Sequence, residues 1–120
     1  MKIKQFIPTL RVKDARKSER FYCDILGFSK EWEHQFSADS PLMMSVHFEE
    51  HYLFLSEHQG TGGNDCAIYM RIDDVDAFYR EKLGQGLVFE MPPVDEPWGM
   101  REASFRDPDN HRFIIGMDNH

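Results

Sequence analysis

Leu10-Arg11-Val12-Lys13-Asp14-Ala15 and Met70-Arg71-Ile72-Asp73-Asp74-Val75 are two versions of one pattern, and that recurrence decides the architecture. Each hexapeptide follows strand-like residues and opens a helical stretch, so the chain reads as a duplicated unit. Behind the first copy Phe21-Tyr22 leads to Leu26-Gly27, and behind the second Phe78-Tyr79 leads to Leu83-Gly84, which predicts a second helix three residues shorter. An aspartate oxygen accepts bonds from the unpaired N–H groups of a first helical turn. Asp14 and Asp74 are therefore predicted N-caps, with Gly27 and Gly84 as the matching stops.

Outward from these helices the periodicity predicts strands over 28–36, 42–49 and 52–57, parted by Ser37-Ala38-Asp39-Ser40-Pro41 and by a short turn at Glu49-Glu50-His51. Strands over 87–91, 100–105 and 111–117 follow the second helix, with 92–97 as a proline-rich loop. Asp107-Pro108-Asp109-Asn110 is a turn, because proline presets φ and asparagine tolerates the left-handed conformation. The order is βαβββ twice, an α+β arrangement. Module one covers about 1–58, a flexible glycine-rich link 59–64, and module two about 65–120, within a single domain because 120 residues support one core.

Composition narrows the partners. Twenty-one acidic against fourteen basic residues leave a formal charge of −7, which opposes nucleic acid or an anionic membrane and mildly favours a cationic ligand. No apolar run is long enough to span a bilayer, and Met1-Lys2-Ile3-Lys4-Gln5-Phe6 lacks the pattern of a secretory signal, so a cytoplasmic location is expected. Cys23 and Cys66 form no disulfide framework and are expected reduced and buried.

The hexapeptides, Phe21-Tyr22, Leu26-Gly27-Phe28, Pro97-Trp98-Gly99-Met100-Arg101-Glu102 and Phe105-Arg106-Asp107-Pro108-Asp109 carry a family likeness. The chain resembles the vicinal-oxygen-chelate (glyoxalase/bleomycin resistance/dioxygenase) superfamily over nearly its whole length, and is most similar to the bleomycin-resistance branch. The resemblance implies a curved, cup-shaped mixed sheet with helices on the outer face. It also implies that a metal enzyme of this kind would place His or Glu donors at four inward strand positions. Those positions fall here on Ile7, Phe54, Ala67 and Ile114, and a hydrocarbon side chain offers a metal no lone pair. Cys66 is the one donor adjacent to any of them. No metal and no cofactor are expected.

Six histidines are the other imidazole donors of the chain. His47 and His51 are four apart but lie on a strand and its turn, where that spacing need not converge. His34, His58, His111 and His120 have no partner at ligand spacing and are expected at surfaces or edges. There is no nucleophile motif or phosphate-binding loop, and no catalytic residue is expected.

Alternation anchored on the four inward positions predicts which residues line the cup. Thr9, Arg11, Tyr52, Ser56, Tyr69, Arg71, Arg112 and Gly116 join them, while Leu10, Val12, Leu53, Leu55, Ile68, Met70, Ile72, Phe113 and Ile115 form the core face. Arg11, Arg71 and Arg112 either pair with acids at strand ends or meet an anionic group of the ligand. Bleomycin-resistance proteins are homodimers that hold the drug in interface grooves, stacking its planar tail on aromatic rings. The resemblance maps their tryptophan onto Trp98 and a second aromatic onto Trp32 or Phe36. Ligand-binding candidates are therefore Trp32, Phe36, Tyr52, Phe54, Tyr69, Trp98 and Glu102, with Asp95 and Glu96 as further sources of negative charge. The function expected is metal-independent sequestration of a bleomycin-type antibiotic by a homodimer, its modules intact or swapped through the link. The alternatives are a divergent metal-dependent lyase, isomerase or dioxygenase drawing on His47, His51 or Glu57, and a ligand-gated partner domain.

Overall fold

In the computed structural model, which describes residues 1–119, each hexapeptide runs from a strand into a capped helix. The first copy gives β1 (Thr9–Arg11) and α1 (Ala15–Glu19), which widens into π-helical turns over Arg20–Ile25. β2 (Ser29–Gln35), β3 (Leu42–Phe48) and β4 (His51–Ser56) complete a four-stranded sheet of order β1-β4-β3-β2, with β1 parallel to β4 and the other pairs antiparallel. The second copy repeats this with β5 (Ala67–Arg71), α2 (Val75–Gly84), β6 (Phe89–Asp95), β7 (Met100–Arg106) and β8 (Arg112–Asp118), in the order β5-β8-β7-β6. The fold is α+β, two βαβββ modules. Met1–Asn64 and Asp65–His120 are compact units. Among the described residues no helix is long and apolar enough to cross a membrane.

Both predicted N-caps are present. Asp14 Oδ1 accepts from the N–H groups of Arg16 (3.0 Å) and Lys17 (3.2 Å), and Asp74 Oδ1 from that of Ala77 (3.0 Å). The remaining first-turn donor of α1, Ala15 N–H, goes to Glu57 Oε2 at 2.8 Å, while Oε1 of the same side chain accepts from Leu42 N–H at 2.8 Å. In the second unit Met117 takes the corresponding place, its sulfur accepting from Val75 N–H at 3.3 Å.

Gly27, at φ +83°, ends the first helix as predicted, but Gly84 does not end the second. Gly84 remains helical and the reversal falls on Gly86 at φ +95°, where Gly86 N–H donates to Leu83 O (3.1 Å) and Leu87 N–H to Lys82 O (2.9 Å). That paired closure satisfies the last carbonyls and needs a left-handed residue at its centre. The helices consequently differ by one residue rather than three, and the extra residue of the first is absorbed in its wide turns.

A second correction concerns 92–97. β6 runs on through Pro92 and Pro93 to Asp95, with breaks in register on both sides of Met91. β6 is an edge strand of its sheet and the register break between Met91 and Val94 leaves both prolines out of the ladder with β7, so neither missing N–H is needed there.

Alternation sorts the core as predicted. Leu10, Val12, Leu53 and Leu55 are buried in the first unit with Met44, Val46 and Tyr22. In the second unit Phe113 and Ile115 are buried, while Ile68, Met70 and Ile72 are half-buried. Phe89, Phe105 and Phe113 are successive cross-strand partners, and the rings of Phe105 and Phe113 lie parallel with centroids 5.2 Å apart. Cys23 and Cys66 are free thiols and half-buried rather than fully buried.

Candidate functional site

Pairing in the second sheet places Tyr69, Ile114, Ser104 and Met91 in one row across β5, β8, β7 and β6, and Arg71, Gly116, Glu102 and Val94 in the next. Cross-strand partners share a face, so both rows project from the side opposite the phenylalanine core. Gly116 leaves a gap in the second row. A Cβ there would lie 2.0 Å from Tyr69 Oη, so the glycine is what lets that side chain cross β8. Through the gap Tyr69 Oη–H donates to Glu102 Oε2 at 2.6 Å, and Trp98 Nε1–H donates to the same oxygen at 3.1 Å. One carboxylate oxygen thus orients two aromatic rings. Trp98 nevertheless stays 62% exposed and Tyr69 45%.

The turn that carries Trp98 is closed by Gly99 N–H donating to Glu96 O (3.1 Å) and Glu96 N–H donating to Met100 O (2.8 Å), with Gly99 at φ +85°. Arg101, next along, faces the other way. It makes two 2.9 Å bonds to Asp76 of α2 and one of 2.8 Å to Asp95, which ties the strand bearing Glu102 to the helix. Asp95 is thereby paired, and the acids left near Trp98 are Glu96 and Glu102. An open pocket of about 300 Å³ lies here, lined by Met91, Glu96, Trp98, Glu102, Ala103, Ser104, Arg112 and Ile114.

Burial, and after it the bond to Glu102, push the Tyr69 phenol up to about 12. The folded value is above the ordinary one near 10, so this contact stabilises fully below about pH 10 and is lost as the pH rises towards 12. An ultraviolet tyrosinate titration should show late-ionising phenol absorbance, and Tyr69→Phe should reduce that late component by one phenol. A late component undiminished by the substitution would refute the assignment.

The first sheet carries the equivalent row, Thr9, Phe54, Ser45 and Trp32 across β1, β4, β3 and β2. Trp32 reaches past Ser45 to Phe54, their ring centroids 5.3 Å apart and the planes tilted by 58°. Tyr52 stacks on its cross-strand partner His47 at 5.0 Å. Phe36 joins neither pair. It follows the end of β2 and is 89% exposed. The structure therefore brings together Trp32 with Phe54 in one unit and Tyr69, Trp98 and Glu102 in the other.

Sequence reading missed two side chains in these rows. Ser45 and Ser104 occupy repeat-equivalent places beside Phe54 and Ile114, and both hydroxyls are buried with no hydrogen-bond partner among the described residues. Extending the alternation to β3 and β7 would have found them.

The arginines left open by the sequence have different surroundings. Arg71 pairs with Asp118 at 3.0 Å, the Arg11 guanidinium bonds the Val12 carbonyl, and Arg112 Nε lies 3.2 Å from Glu90 Oε1. That last approach is an ion pair without hydrogen-bond direction, since the buried Nε has no aligned acceptor among the described residues.

Ile7, Phe54, Ala67 and Ile114 offer no donor, and the alternatives are committed elsewhere. Both Glu57 oxygens hold backbone N–H groups, His47 Nδ1 lies 3.0 Å from Glu49 O, and His51 is exposed beside Glu50. Burial pushes the Cys66 thiol up. Among the described residues no three His, Cys, Asp or Glu side chains are grouped to hold a metal ion. The residues at the family's ligand positions do not fit a divalent cation. His111 departs from its surface expectation: it is fully buried, and its Nδ1 accepts from Cys66 N–H at 3.0 Å. His120 lies outside the described residues.

A family model described as "Glyoxalase superfamily protein" matches residues 1–118, and the chain belongs to that superfamily. No curated protein matches the sequence. Among solved structures, a member of the glyoxalase/bleomycin resistance protein/dioxygenase superfamily from Sphaerobacter thermophilus is 24% identical, with a TM-score of 0.78 over 97% of this chain and 98% of that one. TnmS3, an antibiotic-binding protein from Streptomyces sp. CB03234, is 23% identical, with a TM-score of 0.78 over 98% of both chains. TioX from Micromonospora sp. ML1 is 18% identical, with a TM-score of 0.77 over 96% and 98%.

Proposed function

We propose that this protein is a metal-independent binder that sequesters a planar, cationic antibiotic of the bleomycin type as a homodimer, without turnover. The observation that carries the reading is Trp98, an indole held by Glu102 yet largely exposed at the edge of an open pocket. A fixed, solvent-facing aromatic surface has already lost the freedom that a ligand would otherwise have to remove, and its contact area becomes available on stacking. Glu96 and Glu102 supply negative charge beside it, and Ile114 and Met91 give an apolar lining. Trp32 and Phe54 in the first unit, and Tyr69 and Glu102 in the second, are the further candidate ligand contacts, together with Tyr52 and Phe36. An antibiotic-binding protein of the same fold supports the reading.

Titration of tryptophan fluorescence with bleomycin, followed by calorimetry, tests it. Removing the indole forfeits its burial and stacking, roughly 1.5–3 kcal/mol, so Trp98→Ala should weaken binding about 10- to 100-fold. Native protein that binds no tighter than the high micromolar range would reject drug sequestration. A monomer by light scattering would reject the dimer, and about one tightly bound metal per chain by elemental analysis would reject metal independence.

A further inference from the structure

The pocket of the second unit has two chemically different ends. At one, the Glu96 carboxylate and Glu102 Oε1 have no protein hydrogen bond among the described residues, and Trp98 lies beside them. At the other, Ser104 Oγ–H and Arg112 Nε–H are buried donors with no aligned hydrogen-bond acceptor among the described residues. Ser104 pairs with Ile114 and Arg106 with Arg112, which makes Ser104 and Arg112 diagonal neighbours on one face, within reach of a shared partner. Glu90 is shared by two guanidiniums, its Oε2 bonded to Arg106 at 2.6 Å and its Oε1 lying 3.2 Å from an Arg112 Nε that does not point at it, so this end keeps a net positive charge. Arg112 and Gly116, the partner of Glu102, are four residues apart on β8, roughly 13 Å of strand.

We propose that this pocket selects an amphoteric planar ligand, its cationic group at the Glu96 and Glu102 end and an anionic oxygen received by Ser104 Oγ and Arg112 Nε. The proposal rests on the sequestration reading of the same site and specifies what it takes. A buried donor without an acceptor costs free energy that only a partner recovers, and two such donors on one face ask for one acceptor with several lone pairs. A ligand that is only cationic leaves both unmet and sets its charge against a guanidinium. The duplication isolates the feature. The first unit keeps the unpartnered hydroxyl, Ser45, but has Tyr52 where the second has Arg112, so only the second unit offers the paired donors.

Norfloxacin has a protonatable amine and a carboxylate at opposite ends of a flat ring system, and its ethyl ester and N-acetyl derivative each block one end. Calorimetry with the full chain should find norfloxacin bound at least about tenfold tighter than either derivative, the equivalent of one lost charged hydrogen bond. Ser104→Ala and Arg112→Gln should each shrink the preference over the ester by at least about threefold, weakening norfloxacin more than the ester. Ser104→Ala should also raise Tm by a few degrees, because it removes a buried hydroxyl with no partner. Equal binding of parent and ester, equal loss of both in Ser104→Ala, an unchanged or lower Tm in that variant, or no binding of any of the three would overturn the proposal. If bleomycin binds and norfloxacin does not, only this inference fails. If norfloxacin binds with the stated preference and bleomycin does not, only the bleomycin assignment fails.

Discussion

Phe105→Ala is expected to destabilise the protein by about 3–5 kcal/mol, the largest effect of any single substitution argued for this chain. Phe105 is fully buried on the core face of β7, flanked by Phe89 and Phe113 on neighbouring strands. Its ring lies parallel to that of Phe113 at 5.2 Å and nearly parallel to that of Phe78 on α2 at 6.1 Å, with Phe89 edge-on at 5.8 Å. Alanine would remove the hydrophobic transfer term and leave a cavity bounded by three rigid rings that cannot collapse into it. Against a total stability of about 5–15 kcal/mol the loss would leave a marginal fold. Urea unfolding should show a lower midpoint at unchanged slope, and a loss below about 1.5 kcal/mol would mean that the ring cluster does not organise this unit. Ser104 precedes Phe105 and faces the pocket, so the packing of one face of β7 holds the site on the other.

That division of β7 also explains what the sequence made legible. Alternation needs only the period of a strand and one anchored residue, so it assigned Leu10, Leu53 and Phe113 to the core side without any knowledge of contacts. The N-caps were equally local, since an aspartate at the start of an apolar-periodic run binds amides two or three residues on. The stop of α2 was less so. Gly84 and Gly86 both permit a helix to end, and the choice falls on the one whose amide and the next can close on Leu83 and Lys82. Proline in β6 misled for a similar reason, because its cost depends on whether a neighbour strand needs the missing N–H, and edge position is a tertiary fact.

The site was legible as a set of residue types and not as a geometry. Tyr69, Trp98 and Glu102 were each candidates, but their convergence on one oxygen depends on Gly116 having no side chain, and no local pattern distinguishes that glycine from one needed for a turn. The burial of His111 was hidden in the same way. It follows Asn110 in a polar turn, yet its side chain is anchored by Cys66, 45 residues away in sequence.

Glu57→Ala should cost about 3 kcal/mol, and the way it fails separates two readings of that residue. Its Oε2 receives Ala15 N–H and its Oε1 receives Leu42 N–H, each at 2.8 Å, so one carboxylate closes the N-terminus of α1 and pins the start of β3. Hydrogen bonds to a charged acceptor contribute about 1.5–3 kcal/mol each, and the half-exposure of this side chain argues for the lower figure. The second unit places Met117 at the equivalent point, where a thioether accepts only the helix donor, at 3.3 Å. The carboxylate is therefore a local elaboration on a duplicated plan. Glu57→Gln retains one amide oxygen but turns an NH2 group towards a backbone donor, and it should fall between the native chain and Glu57→Ala. Thermal unfolding ordered as native, then Gln, then Ala, with Tm insensitive to added divalent cation or chelator in all three, is the result expected of a backbone clasp. Were Glu57 instead a metal donor, chelation would lower the Tm of the native chain towards that of Glu57→Ala and leave the variants unmoved.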